Sequence, residues 1–318
     1  MPELGTVLVT GATGDIGTLL VHELVQAGVP LRVLVRRPDQ VEDHRRRGID
    51  ASLGSLDDPG AVRRAMTGVS QLFLLAPNGP EQHTWDRTAI DAAAATGVEH
   101  VVRVSTSDAS PTSAIPWARD HARADDHLSR SGLSWTRLAP GAFTKNLLVE
   151  AAAIRRGWLP QTTGHGATAW VDVSDIAAVA ARVLTGPGLQ GGAGDQGRTY
   201  TLTQDRPLSY PEVAEILTTT LGHRVRYLHL PAPVFYAGLR LAGTPRWMAR
   251  GLVRQFVDVV RRGHDGGRVT STDVPDLLGR PATTVADFAR AHRARLSPAG
   301  RGPAAGQLVT AGGQRGAS

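Results

Sequence analysis

Thr6-Val7-Leu8-Val9-Thr10-Gly11-Ala12-Thr13-Gly14-Asp15-Ile16-Gly17 is the stretch on which the reading of this chain turns. A β-branched apolar run ends in three glycines at G-x-x-G-x-x-G spacing. Ile16, Leu19, Leu20, Leu24 and Val25 then recur at helical intervals, so the pattern is strand, tight turn, helix. Gly11 suits the turn, Gly14 lets a phosphate approach the backbone, and Gly17 permits close packing of the helix. Thr13, Asp15 and Ile16 complete the loop, and the helix N-terminus presents unpaired N–H groups to an anion. In this context the motif predicts a pyrophosphate site, and hence a dinucleotide.

Working outward, continuous apolar runs at residues 31–35, 71–75, 101–105 and 133–138 read as strands covered on both faces. Helical patterns at 16–27, 59–66, 81–96 and 117–131 alternate with them, which predicts an α/β fold with a doubly wound parallel sheet of Rossmann type. After Pro140 the rhythm changes. Helices are expected at 147–156, 174–184 and 210–221, strands at 170–173, 199–203 and 225–230, and a glycine-rich flexible loop at 186–194. The apolar, helical stretch 231–262 reads as the cover of a pocket, closing its own subunit or packing against another in a homodimer. The expected division is a cofactor-binding domain at 1–148, with elements near 168–203 returning to it. A smaller C-terminal α+β substrate domain follows at 149–296, then a disordered tail at 297–318.

Composition excludes several classes. Of 318 residues, 41% are hydrophobic and 20% charged, which fits a soluble globular protein. No apolar run approaches the ~18 residues of a membrane span. Met1-Pro2-Glu3-Leu4-Gly5 does not resemble a secretory leader, so a cytoplasmic location is expected. The absence of cysteine rules out disulfides, thiolate catalysis and Cys-ligated metal sites. The net charge of +6 is spread over short arginine groups (Arg45-Arg46-Arg47, Arg63-Arg64, Arg155-Arg156, Arg261-Arg262) without interleaved aromatics, so a nucleic-acid partner is not expected. Asp120, His121, Asp125, Asp126 and His127 lack matching ligands elsewhere, and no metal is expected.

The second strand selects the dinucleotide. NAD-binding sheets end it with a carboxylate for the ribose hydroxyls, whereas here it runs into Arg36-Arg37. Guanidinium groups suit the 2′-phosphate of NADP(H) through charge-assisted bonds.

Together with the glycine motif, Leu34-Val35-Arg36-Arg37-Pro38, the run Ser131-Gly132-Leu133-Ser134-Trp135-Thr136-Arg137-Leu138-Ala139-Pro140, Phe143-Thr144-Lys145-Asn146, Trp170-Val171-Asp172-Val173-Ser174-Asp175-Ile176-Ala177 and Leu277-Leu278-Gly279-Arg280 carry a resemblance. Over residues 5–295 the chain resembles the NmrA-like branch of the atypical short-chain dehydrogenase/reductase superfamily. That branch includes quinone, azo-dye and enone reductases, natural-product tailoring enzymes and non-catalytic NADP-sensing regulators. The resemblance implies that Ala76 and Asn78 line the adenosine side, and that Ser105, Pro140 and Phe143 approach the nicotinamide. Ser55 stands where the superfamily usually has aspartate.

Ordinary short-chain reductases protonate their substrate with a tyrosine four residues before a lysine. Here no tyrosine precedes Tyr200, and Gly141 stands four residues before Lys145, the only lysine in the chain. By the resemblance, Trp117 takes the tyrosine's place and His121 the lysine's. His121 is either a proton donor held by Asp125 or a surface or capping histidine. Lys145 anchors an oxyanion or the nicotinamide ribose, or is an exposed helix-start charge. Asn146 bonds a ligand or caps the next helix. Trp117, Trp158 and Trp170, with Phe143, Phe235 and Trp247, are candidates for an apolar wall around a small planar aromatic substrate. The expected function is NADPH-dependent reduction of a quinone or conjugated aromatic without the tyrosine–lysine pair. The alternatives are a tailoring enzyme for aromatic natural products and an NADP(H)-sensing regulator.

Overall fold

Hydrophobic burial on both faces of one sheet organises the chain, which is described here from a computed structural model covering residues 5–186, 196–263 and 268–298. The first half alternates β1 (Val7–Val9), α1 (Asp15–Gln26), β2 (Leu31–Val35), α2 (Pro38–Arg46), β3 (Asp50–Leu53), α3 (Pro59–Met66), β4 (Gln71–Leu74), α4 (Gln82–Thr96), β5 (His100–Val104), α5 (Pro116–Arg130) and β6 (Ser134–Pro140). The remainder contributes β7 (Ala142–Phe143), a 3-10 turn at Thr144–Leu148, α6 (Ala151–Arg155), β8 (Trp158–Gln161), β9 (Ala167–Thr168), β10 (Trp170–Val171), α7 (Val173–Thr185) and β11 (Arg198–Leu202). Then come β12 (Leu208–Ser209), α8 (Tyr210–Leu221), β13 (Arg226–His229), α9 (Ala232–Leu241), α10 (Arg246–Arg254), a π-helical turn at Gln255–Arg261, α11 (Asp273–Leu278), α12 (Val285–Ala291) and α13 (Arg293–Leu296).

Seven parallel strands form the central sheet in the order β11-β6-β5-β4-β1-β2-β3. The order reverses between β1 and β4, and open α/β sheets bind ligands in the crevice at such a switch point. One face packs α1 and α7 through Leu20, Leu24, Ile176, Val179 and Val183. The other packs α3, α4 and α5 through Val62, Met66, Ile90 and Leu128. A third cluster lies outside the sheet, where Trp170, Tyr210, Leu217 and Phe288 join β10, α8 and α12.

The five strand runs and four helices read from the first 140 residues are all present within a residue or two. Two elements within those 140 residues were not anticipated. α2 is strongly polar and buries only His44 fully, so it has no apolar stripe to read. β3, Asp-Ala-Ser-Leu, is a four-residue edge strand with no β-branched run. The helix expected at 147–156 is instead the 3-10 turn followed by α6, broken at Val149–Glu150. The stretch 231–262 is helical but in three pieces, with Gly243 at φ 84° turning the chain between α9 and α10. Most of the expected 186–194 loop and of the 297–318 tail lies outside the described residues.

The glycine turn is tight enough to test. A Cβ on Gly17 would stand 2.1 Å from the Gly11 carbonyl oxygen and 2.8 Å from the Ala12 Cα, both backbone atoms. Gly17→Ala should therefore lower the free energy of urea unfolding by about 1–3 kcal/mol, the usual range for overpacking. Unchanged stability would contradict the packing described.

Candidate active site at the sheet switch point

A cavity of about 520 Å³ opens over the carboxyl ends of β1, β2, β3 and β4. Its floor is the turn Thr10–Ile16. One wall is Leu34, Val35 and Arg36 with Gly54, Ser55, Leu56 and Asp57, and the rim is completed by Leu75, Ala76, Pro77, Trp85, Phe143 and Val173. Gly11 has φ 65°, a left-handed conformation that a side chain would strain, and a Cβ there would sit 3.0 Å from the Leu75 carbonyl oxygen. Thr10 pins the turn to β4, its Oγ1 accepting from the Leu75 N–H at 2.9 Å. α1 then starts at Asp15 with Gly14 as N-cap, so no side chain caps its first N–H groups. A helix N-terminus left uncapped at the floor of a cavity is a ready anion site. The residues present therefore fit a dinucleotide pyrophosphate.

Charge on the cavity wall is sparse. Arg36 is its one cation among the described residues and is exposed there without an ion-pair partner. Asp15 would repel a phosphate at the start of α1, but the Lys145 ammonium pairs with its Oδ1. Lys145 sits on the 3-10 turn after β7, so the pair ties that segment to the cavity floor.

The expected cofactor residues divide into two groups. Gly11, Thr13, Gly14, Asp15, Ile16, Arg36, Ser55, Ala76 and Phe143 line the cavity. Gly17 lies behind it as a packing position. Arg37 does not share the wall with Arg36: its guanidinium lies 3.1 Å from Asp39, in the turn that begins α2. Asn78 is exposed beyond the rim. Ser105 and Pro140 are buried at the ends of β5 and β6, with the Pro140 carbonyl accepting from the Ser107 N–H at 3.0 Å.

The expected catalytic and pocket residues are placed differently from their sequence assignments. His121 is engaged in a buried polar cluster: its Nδ1 lies 3.1 Å from Arg103 Nη2, and its Nε2 lies 2.9 Å from the Gln82 side-chain amide. Burial and the Arg103 charge hold its pKa well below the ordinary histidine value. A neutral imidazole accepting from a guanidinium is not poised to protonate a substrate. Asp125 does not hold it either. That carboxylate receives Arg103 Nη1 at 2.5 Å and the Ser105 hydroxyl at 2.6 Å. Arg103 is fully buried in β5, its other ion pair being with Asp86 at 2.6 Å, and desolvation raises the Asp86 pKa. Trp170 is also a correction. It is wholly buried in the third cluster, donating from Nε1 to the Leu208 carbonyl at 3.2 Å. Trp158 is 41% exposed beside the Arg226 guanidinium, away from the cavity wall. Trp117 packs edge-on against Trp247 and over Gly251 of α10. Asn146 is exposed on the 3-10 turn. Among the described residues no cluster of His, Asp and Glu could hold a metal ion.

Sequence reading missed Trp85, Asp57, Leu34 and Val173 on the cavity wall. It also missed the Arg103 cluster, because a lone arginine inside an apolar strand run carries no motif.

Comparison with known proteins identifies the family. A family profile described as NAD(P)H-binding matches residues 11–187. The NAD(P)H azoreductase of Xenophilus azovorans is 33% identical over 92% of this chain and 100% of its own length. Quinone oxidoreductase 2 of Escherichia coli K12 is 30% identical over 88% of this chain and 96% of its own. The crystal structure of the E. coli quinone oxidoreductase QOR2 in complex with NADPH superimposes with a TM-score of 0.79 at 29% identity, covering 90% of this chain and 99% of that one. The chain belongs to the NAD(P)H-binding family, and its full-length relatives include an azoreductase and a quinone oxidoreductase. It is an NAD(P)H-dependent oxidoreductase.

Two outcomes follow from the site's charges. Arg36→Ala should weaken NADPH binding by more than tenfold in calorimetric titration while leaving NADH within about threefold; equal losses would remove Arg36 from the 2′-phosphate. His121 should mark acid stability. Its folded pKa lies below the unfolded value near 6.5, so below that pH the unfolded chain takes up a proton that the native chain refuses. This contribution is present above pH 6.5 and is lost as pH falls, at up to about 1.4 kcal/mol per pH unit. His121→Asn should flatten the fall between pH 6.5 and 5 in urea titrations; an unchanged slope would contradict the neutral assignment.

Proposed function

We propose that the protein reduces a quinone or a related conjugated, planar aromatic acceptor with NADPH. The observation that carries this reading is the state of His121. The side chain that the resemblance sets in place of the lysine of ordinary short-chain reductases is neutral and bonded to Arg103 and Gln82, so the site offers no side-chain acid from α5. A simple ketone needs a proton delivered to its oxygen as hydride arrives, whereas a conjugated acceptor spreads that charge to a distant atom. Bound NADPH supplies the hydride.

In this reading residues 1–148, with the returning elements near 168–203, hold the cofactor, and 149–296 supply the substrate side. Gly11–Gly14 and the first N–H groups of α1 receive the pyrophosphate, Arg36 the 2′-phosphate, and Ser55 and Ala76 the adenosine side. Phe143 closes the nicotinamide side of the cavity. Lys145 neutralises Asp15 beside the pyrophosphate and gains a second anionic neighbour there. α10 and the π-helical turn dock onto the loop after β5, through Gln255 to Asp108 at 2.9 Å and Arg254 to the Ala114 carbonyl at 3.0 Å. They cover the substrate side. The azoreductase and quinone oxidoreductase names of the relatives support the acceptor class.

A second reading, a natural-product tailoring reductase for a conjugated double bond, is favoured by one relative. A reductase of (4-alkanoyl-5-oxo-2,5-dihydrofuran-3-yl)methyl phosphate from Streptomyces griseus is 31% identical over 92% of this chain and 99% of its own length.

Anaerobic decay of NADPH absorbance with a panel of naphthoquinones and anthraquinones tests the proposal. Turnover above the enzyme-free rate is expected; bound NADPH with no decay for any acceptor would overturn it. Lys145→Met should raise the KM for NADPH about tenfold, the weight of one hydrogen bond to a charged group, with a smaller change in kcat. A fall in kcat alone would move Lys145 from cofactor holding to the chemistry.

A further inference from the structure

The two faces of α4 point to a second role for this helix. Gln82 and Asp86 are one turn apart and both reach into the buried cluster, Gln82 to His121 at 2.9 Å and Asp86 to Arg103 at 2.6 Å. Residues four apart share a helix face, and the residue just before Asp86 is turned about 100° away. Fixing Gln82 and Asp86 therefore fixes the direction of Trp85, which is half-buried and forms part of the cavity wall. Its ring rests on the loop after β4: a Cβ on Gly79 would stand 3.1 Å from Trp85 Cη2 and 3.2 Å from Cζ3, so the absent side chain leaves room for the indole. Trp85 shares the cavity with Arg36, Gly54 and Ser55 from the ends of β2 and β3. The other aromatic ring on the wall, Phe143, comes from β7, beyond the glycine turn.

We infer that Trp85 is the base-binding wall of the adenosine subsite, a flat π surface against which the adenine of the dinucleotide stacks. The chemistry matches at this end of the cavity. A purine offers a large apolar face that gains from an aromatic neighbour whatever its edge pattern. Arg36 on the same wall takes the anionic 2′-phosphate, and Trp85 takes the uncharged base. Affinity for NADPH at this end is thus divided between a charge contact and a stacking contact, on two elements held by different anchors. The inference rests on the adenosine placement proposed above and is independent of the acceptor.

The probe is 2′,5′-ADP, which carries the adenine, the ribose and the 2′-phosphate but no nicotinamide. In calorimetric titration, Trp85→Ala should bind it about tenfold more weakly than the unaltered protein, and Trp85→Phe within about threefold. Independently of how well the alanine variant folds, 2′,5′-ADP should quench tryptophan fluorescence of the unaltered protein, and Trp85→Phe should lose that quench. A folded Trp85→Ala protein with unchanged 2′,5′-ADP affinity, or a quench that persists in Trp85→Phe, overturns the inference. Failure of the unaltered protein to bind 2′,5′-ADP overturns the adenosine placement and this inference together. Failure to reduce any quinone touches neither.

Discussion

The structure depends on how closely α1 can descend onto the turn after β1. Gly17 sits against the Gly11 carbonyl and the Ala12 Cα with no room for another atom, and Gly11 turns the chain in a conformation reserved for glycine. Because of that contact, the N-terminus of α1 points into the crevice at the switch point of the sheet. The cavity follows from it: its floor is the turn itself, and the ends of β2, β3 and β4 become walls. A single Cβ at position 17 would lift the helix and open the floor.

A second constraint lies on the opposite face of the sheet. A wholly buried arginine in a strand demands compensating charge, and Arg103 draws Asp86 from α4 and Asp125 from α5 into two short ion pairs. These pairs set the rotation of both helices, and His121 and Ser105 are drawn into the same cluster. Here Arg103 binds Asp86, Asp125 and His121, and the proposed chemistry is left to the cofactor and the acceptor. The same anchoring turns Trp85 toward the cavity.

The Rossmann half was largely legible in the sequence because its signals are local and periodic. Strand runs, the glycine spacing and Arg36 at the end of β2 each depend on neighbours a few residues away. α2 escaped because a polar surface helix has no apolar period, and β3 because an edge strand can be short and mixed. The candidate site was legible at the glycine turn and at the strand ends, where Arg36, Ser55, Ala76 and Phe143 do line the cavity. Which tryptophan faces the cavity depends on long-range packing, so Trp170 was placed in a pocket it does not reach, and Trp85 was passed over. His121 was assigned through the resemblance, but its charge state is decided by burial and by Arg103, eighteen residues earlier in the chain and hydrogen-bonded to it in space.

The central claim is that reduction by this protein proceeds without a titrating side chain in α5. It is tested most directly by the pH dependence of kcat at saturating NADPH, with a quinone that does not itself ionise between pH 6 and 8. A flat profile across that range is predicted, with no inflection near the ordinary histidine pKa. A sigmoidal profile centred near neutrality that disappears in His121→Asn would show a working proton donor and contradict the account.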